Sequence, residues 1–361
     1  MARRHNVANW RANGKLIAMH DIAVGRSLEM RLFTKFLDDS GVPWRTDASR
    51  VGLPSRRPGA DTFLPSTLVM EFLGELVERE NFAEMSALAS LGPDGEILRC
   101  AAPGQVEAAL LSAPTLYSGL RALCDKSASQ WSHCRFWLRE TERTLWVCSL
   151  LALPGGNGNR RGWEQQVQSR LIRLVGLIQE YLGSRWRPEV LLLETEALPS
   201  VMFAEIMENP RVFTNAGYSA VPVPTKLLSE GGPVNLAVPG SRLPAASGHG
   251  DADWSCVRCL KLLLPEYVMD PVISIERMAE IAGVSSRTLQ RALAAEGITY
   301  RELIDSARFQ VARQKLTDPA ASIDEISRLL GYSESTHFTR AFRRIAGRTP
   351  SEYRKDLLIR A

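Results

Sequence analysis

Apolar residues recur every three to four positions over much of this chain, the spacing that gathers them on one side of an α-helix. Ser27 to Asp39 carries Leu28, Leu32, Phe36 and Leu37 along one side. Ser66 to Glu80 carries Leu68, Phe72, Leu76 and Val77, with Glu75, Glu78, Arg79 and Glu80 off that face. Asn81 to Leu91 continues in helical fashion up to Gly92-Pro93, and Pro114-Thr115 opens a helix through Tyr117, Leu120 and Leu123. Between the first two helices, Arg50 to Pro65 is rich in Gly, Pro and Arg and reads as loop.

The pattern changes at Ser132. Cys134-Arg-Phe-Trp-Leu and Leu145-Trp-Val-Cys-Ser-Leu-Leu favour strands and are separated by a polar Glu140-Thr-Glu-Arg, which predicts a hairpin. Trp163 to Leu182 returns to helical spacing through Val167, Leu171, Leu174, Val175 and Ile178, and shorter strands are expected at Val190–Leu193 and Ser219–Val223. Helices with a small sheet predict an α/β or α+β fold for residues 1–228, without fixing the topology. Residues 229–253 crowd Gly, Pro, Ser and Ala together and read as a linker.

Residues 254–357 are helical from end to end. Ser274 caps a helix with Ile275, Met278, Ala279 and Ala282 on its apolar side, and Gly283 can adopt the left-handed turn that stops it. Val284 packs back, Ser285 caps the next helix, and Leu289, Ala292 and Leu293 form its buried side up to Gly297. That is a helix-turn-helix over about residues 275–296. The same grammar returns 48 residues later, comparing Gly283 with Gly331, over about 323–346. Ser322 caps its first helix, and Ser333 or Ser335 caps a second that buries Phe338, Ala341, Phe342 and Ile345. A helix over about 300–316, with Leu303, Ile304, Ala307, Val311 and Ala312 on its apolar side, joins the two units. At 1.5 Å per residue it is about 25 Å long, a spacer suited to two reading helices set roughly one DNA turn apart.

Charge agrees with a polyanion partner. The chain has a formal net charge of +4, and the segment from Trp254 onward holds 17 Lys+Arg against 13 Asp+Glu, so the whole excess lies there. No stretch is apolar enough for a membrane span, and Met1-Ala-Arg-Arg-His leads into polar residues rather than a signal peptide, which points to the cytoplasm. The six cysteines are scattered, unlike a disulfide framework. Cys256 and Cys259 form one close pair, but a zinc site needs two more ligands and only His337 lies downstream, so they read as two buried thiols with no metal or cofactor.

The helical segment resembles the DNA-binding domain of the AraC family of regulators. The matching stretches are Met278-Ala-Glu-Ile-Ala-Gly-Val-Ser-Ser-Arg-Thr-Leu-Gln-Arg, Ala307-Arg-Phe-Gln-Val-Ala-Arg-Gln-Lys-Leu and Ile323-Asp-Glu-Ile-Ser-Arg-Leu-Leu-Gly-Tyr. The likeness continues through Ser335-Thr-His-Phe-Thr-Arg-Ala-Phe-Arg-Arg-Ile-Ala-Gly-Arg-Thr-Pro-Ser-Glu-Tyr-Arg. Ser327 departs from it, standing where the family usually carries Ala. Around Pro114-Thr-Leu-Tyr-Ser-Gly-Leu-Arg-Ala-Leu-Cys the N-terminal part is similar to the sensor domains of longer AraC-type regulators. The resemblance implies a transcription regulator that binds double-stranded operator DNA, responds to a small-molecule effector, forms a homodimer and works with RNA polymerase.

On the two reading helices, Arg287, Gln290, Arg291, Thr336, His337 and Arg340 lie away from the buried positions and are the candidates for base contact. Arg grips guanine O6 and N7, and Gln grips adenine N6 and N7. Ser285, Arg343, Arg344 and Arg348 suit phosphate oxygens. The plain alternative for each is a solvated helix face. Trp131, His133, Trp137 and Trp146 gather around the hairpin, where the alternatives are the lining of an effector pocket and plain core; aromatics at such spacing are more often core, so no role is assigned to them. His133-Cys134 sets an imidazole beside a thiol with no third group to orient them. A repair or modifying enzyme fused to the same tail, methyltransferase-like or amidotransferase-like, is the rival reading. The methyltransferase form needs an activated Cys, usually in a Pro-Cys-His-Arg run, and the chain has none.

Overall fold

The computed structural model describes residues 11–12, 15–16, 22–59, 62–80, 84–92, 97, 105–152, 159–231, 254–269 and 273–360. The chain divides into two compact units, Met1–Asp253 and Trp254–Ala361.

In the first unit, β1 (Arg11–Ala12) pairs with β2 (Lys15–Leu16), and β3 (Val24–Arg26) leads into α1 (Leu28–Asp39) and α2 (Arg45–Val51). After these come β4 (Phe63–Pro65), which pairs antiparallel with β3, then α3 (Ser66–Glu80), α4 (Met85–Leu88), α5 (Gln105–Leu111) and α6 (Leu116–Ser127). The hairpin is β5 (Cys134–Glu140) and β6 (Thr144–Leu151), in antiparallel register from Cys134 opposite Leu151 to Glu140 opposite Leu145. The long helix α7 (Arg160–Leu182) is followed by β7 (Val190–Leu192), α8 (Val201–Ile206), β8 (Arg211–Phe213) and β9 (Ser219–Pro224). One five-stranded sheet runs β5-β6-β9-β7-β8, antiparallel except for the parallel β7/β8 pair. The unit is thus a mixed α/β domain.

The core lies where α7 meets the sheet and α3. Val167, Leu171, Leu174, Val175 and Ile178 are all buried against Val147, Leu191 and Val221. Helix α7 approaches α3 so closely that a Cβ on Gly162 would stand 1.7 Å from the Met70 carbonyl oxygen. Opposite it, a Cβ on Gly74 would meet the Asn159 side chain, whose Oδ1 caps α7 by accepting from the Gly162 N–H at 3.1 Å. A face spent in this way is core, so α7 offers little as a surface for another subunit.

Several expectations change. In α1 the buried stripe is Met30, Phe33 and Leu37, with Leu32 and Phe36 only half-buried, because a second apolar series at i, i+3 and i+7 turns to the core instead. The stretch read as loop from Arg50 holds the end of α2 and, at Phe63–Pro65, a strand too short to show alternation. The helix foreseen over Asn81 to Leu91 is only the single turn α4 among the described residues. Residues 229–231 are stitched to the start of α6: the Leu116 N–H donates to the Glu230 carbonyl at 3.1 Å, and Gly231 bridges Thr115. Residues 232–253, the rest of the expected linker, lie outside the described residues. Of the aromatic group at the hairpin, Trp137 and Trp146 pack with Tyr218 on one side of the sheet, while Trp131 and His133 line a cavity.

The second unit is all helical: α9 (Cys256–Tyr267), α10 (Ile275–Ala282), α11 (Ser286–Ala295), α12 (Tyr300–Leu316), α13 (Ile323–Leu329), α14 (Ser335–Ala346) and α15 (Pro350–Arg360). Val257, Leu260, Leu263 and Leu264 of α9 are buried in this unit. Cys259 is buried but Cys256, the first residue of α9, only half so. Among the described residues no helix is long and apolar enough to cross a membrane.

Candidate nucleic-acid interface

Each helix-turn-helix is built by a cap, a left-handed glycine and a second cap. In the first, Ser274 Oγ accepts from the Arg277 N–H at 3.2 Å and starts α10. Gly283 ends it at φ +70°, a conformation that a Cβ would penalise by about 1–2 kcal/mol. The Val284 N–H then returns to the Ala279 carbonyl at 3.0 Å, which fixes the bend. Ser285 opens α11 by accepting from the Thr288 N–H at 3.1 Å, and its hydroxyl also meets Thr288 Oγ1 at 2.8 Å. That hydroxyl is engaged in capping, so a phosphate would have to share it.

Leu289 and Leu293 fasten α11 to the core, leaving Arg287, Gln290 and Arg291 exposed on the opposite side. Leu289 and Leu293, four residues apart, share one face, while Arg287, Gln290 and Arg291 stand one or two positions from them and so turn to the other.

The second unit repeats the plan with one difference. Ser322 and Glu325 make a reciprocal cap at the start of α13: the Glu325 N–H donates to Ser322 Oγ at 3.1 Å and the Ser322 N–H to Glu325 Oε2 at 2.8 Å. Gly331 turns at φ +75°. Neither Ser333 nor Ser335 caps α14; the cap position falls to Glu334, whose side chain accepts from no backbone N–H of the helix, since Ser335 is already helical. Phe338 and Phe342 are buried, but Ile345 is 42% exposed because it follows Phe342 by three residues near the helix end, beyond the packed stripe. Thr336, His337, Arg340, Arg343, Arg344 and Arg348 are all exposed.

Two of the arginines expected to hold phosphate already have acidic partners. Arg344 is ion-paired with Asp305 of α12, and Arg348 with Asp356 of α15, where its guanidinium also lies 5.7 Å from the Tyr353 ring centre. Thr336 donates to Glu334 Oε2 at 3.1 Å.

The spacer is anchored at both ends. At its start, Thr299 and Glu302 form a reciprocal cap, and the Tyr300 hydroxyl donates to the Ile273 and Ser274 carbonyls at 3.3 and 3.1 Å. Burial pushes that phenol's pKa upward, so it remains a donor. Toward its other end, Phe309 stacks with Phe342 at 4.9 Å, and Phe342 in turn meets Phe338 and Tyr353 at 5.8 and 5.5 Å.

Arg301 and Arg308 of α12 share an open groove with His337, Arg340 and Arg344. Arg308 lies 5.0 Å from the Tyr332 ring. Sequence reasoning missed both arginines, although Arg301, Asp305 and Arg308 recur at i, i+4 and i+7 along one side of the spacer.

Burial pushes the Cys124 and Cys148 thiols up to about 12, which disfavours the reactive thiolate. Cys134, beside His133, is buried with the Arg170 guanidinium 3.8 Å from its sulfur.

A double helix-turn-helix joined by a rigid spacer defines the second unit as a DNA-binding module. Residues 278–356 match the family described as "Helix-turn-helix domain", and this part of the chain is an AraC-type helix-turn-helix domain. It is similar to the HTH-type transcriptional regulator VqsM of Pseudomonas aeruginosa, 38% identical over 94 residues, 26% of this chain and 29% of that protein. It is also similar to the ornithine utilization regulator of the same organism, 40% identical over 81 residues, 22% of this chain and 24% of that protein. The chain thus spans less than a third of the length of the curated relatives it matches. The crystal structure of the transcriptional regulator CdpR from Pseudomonas aeruginosa aligns over 91% of this chain and 98% of that one, at 22% identity and a TM-score of 0.39.

Proposed function

We propose that this protein regulates transcription by binding double-stranded operator DNA with its C-terminal unit, and that it is not an enzyme. The observation that carries the reading is the repeat itself. Two glycine-turned helix pairs stand at either end of one spacer, and each second helix presents basic and other polar side chains away from its buried residues. Arg287, Gln290 and Arg291 of α11, with Thr336, His337 and Arg340 of α14, read base edges in two successive major grooves. Arg343, Arg344 and Arg348 hold the backbone, joined by the Ser285 hydroxyl, and Arg301 and Arg308 add to that positive surface.

Residues 1–228 serve as the effector-sensing and dimerising domain, tethered through residues 229–253 to residues 254–357. Two linked modules gain affinity because the second binds at a high local concentration. An effector acts by binding one arrangement of the pair better than the other, and RNA polymerase is the partner that such an arrangement addresses.

Selecting bound sequences from a random DNA pool with the full-length protein tests this. A recovered motif with two half-sites roughly 10 bp apart, bound at least about a thousandfold more tightly than random DNA, is the expected result. Recovery of no shared motif would overturn it.

A further inference from the structure

The open groove along α12 lies between the two helix-turn-helix units. Ser274 and Ile275, at the start of α10, line it from the first unit, and His337, Arg340 and Arg344 of α14 line it from the second. Arg301, Asp305 and Arg308 line it from the spacer itself. Four arginines thus stand in this groove against one carboxylate, Asp305. An open, positively charged channel of this kind suits a long polyanion better than an enclosed small molecule.

Three of the four arginines are already committed. Arg344 is ion-paired with Asp305, Arg308 lies over the Tyr332 ring, and Arg340 belongs to the exposed side of the second reading helix. Arg301 differs from them. It is exposed, and among the described residues its side chain makes no ion pair or hydrogen bond. Its neighbours in the groove repel it, so an approaching anion gains most at this position.

The shape of DNA identifies what approaches. Along one face of a duplex, two major grooves a turn apart are separated by one minor groove with a backbone on either side. With α11 and α14 in successive major grooves, the spacer that joins them faces that minor groove. Where the minor groove is narrow, as in A·T-rich runs, its two backbones concentrate negative potential and attract arginine. The N2 amino group of guanine stands in the floor of the same groove and works against this.

We propose that Arg301 projects toward the minor groove between the two half-sites and selects operators in which that groove is narrow. It reads groove width and potential rather than base edges, and so adds specificity at base pairs that α11 and α14 do not address. The inference rests on the reading of residues 254–357 as an operator-binding module and adds a specificity-determining residue to it.

The test starts from the site that selection out of random DNA recovers. Its half-sites are kept, and the base pairs midway between them are replaced by AATT, TATA, GGCC or IICC. Inosine lacks the N2 amino group, so IICC has the minor-groove floor of A·T pairs and the major groove of G·C pairs. Fluorescence anisotropy measures the affinity of the full-length protein for each duplex at several salt concentrations. AATT and IICC should bind about fivefold or more tightly than GGCC, the low end of what an unfavourable base pair costs. Arg301→Ala should abolish that preference. Arg301→Lys keeps the charge and should preserve the salt dependence but only part of the preference, because an ammonium holds its water more strongly than a guanidinium.

A preference for AATT and IICC that survives Arg301→Ala would overturn the proposal. So would an equal loss on every centre with a shallower salt dependence, which would make Arg301 a phosphate contact. TATA bound more tightly than AATT by the unchanged protein and by Arg301→Ala alike would trace the central preference to pliable steps, with the same consequence. Tight binding that needs the half-sites but ignores all four centres would remove the role of Arg301 alone. Binding of every duplex no tighter than random DNA would overturn the operator-binding reading, and this role with it.

Discussion

Arg344 on the second reading helix is ion-paired with Asp305 on the spacer, 39 residues earlier in the chain. Arg344 is 61% exposed and Asp305 only 14%, so the acid is the buried anchor and the guanidinium the half that faces solvent. The pair holds Arg344 in one place and also cancels its charge. Asp305→Asn is therefore expected to tighten binding to any DNA sequence. The salt dependence of log K should steepen by up to about 0.9, the increment for one phosphate contact. An unchanged salt slope would place Arg344 away from the DNA backbone.

Base reading and backbone holding separate by mutation. Arg340→Ala or Gln290→Ala should cost about 1–3 kcal/mol on the preferred site and little on random DNA. Arg343→Ala should weaken both alike. Titrations of each variant against both DNAs measure the ratio, and a ratio unmoved by Arg340→Ala would contradict the placement of α14 in the groove.

Ser327 stands where the AraC-type pattern carries Ala, and it is buried with no hydrogen-bond partner for its hydroxyl. Removing an unsatisfied buried hydroxyl is expected to stabilise, so Ser327→Ala should gain about 1 kcal/mol. Gly331→Ala, forced to keep φ near +75°, should lose about the same or more. Urea unfolding of the full-length chain, followed by helical signal, reads both. A destabilising Ser327→Ala would mean that the hydroxyl has a role in the helix crossing.

His133 gives the first unit an acid sensitivity. Its folded pKa is about 3, below its ordinary 6.5, so the unfolded chain takes up the proton more readily. The stability this neutral ring contributes is complete above pH 6.5 and is lost as pH falls toward 3. His133→Phe should flatten that part of the midpoint-against-pH curve, and an unchanged acid limb would show that other groups control it.

The C-terminal unit was largely legible in the sequence because its signals are local. Ser274, Gly283, Ser285, Ser322 and Gly331 each determine their own turn, and the period of 3.6 separates Gln290 from Leu289 without any knowledge of the fold. The exceptions were the cap of α14 and Ile345, where two serines and one more apolar residue offered several equivalent choices. Partners across the chain were not legible. Nothing near Arg344 in sequence points to Asp305, and nothing near His133 points to Arg170 or Val24. The first unit suffered more, since β3, β4 and β8 owe their existence to non-local pairing. In α1, two overlapping apolar stripes left the choice of buried face to tertiary packing.

The ring contacts that join Phe309 to Phe342, and Phe342 to Phe338 and Tyr353, bind spacer, second reading helix and final helix into one block. Such a block has a fixed span to offer and little capacity to stretch. Any mismatch with the pitch of a straight duplex must then be taken up by the DNA, through bending or twisting of the base steps between the two grooves. The energy of that deformation depends on which steps lie there. A module made stiff by aromatic packing therefore discriminates among sites partly by the pliability of base pairs that none of its side chains reaches.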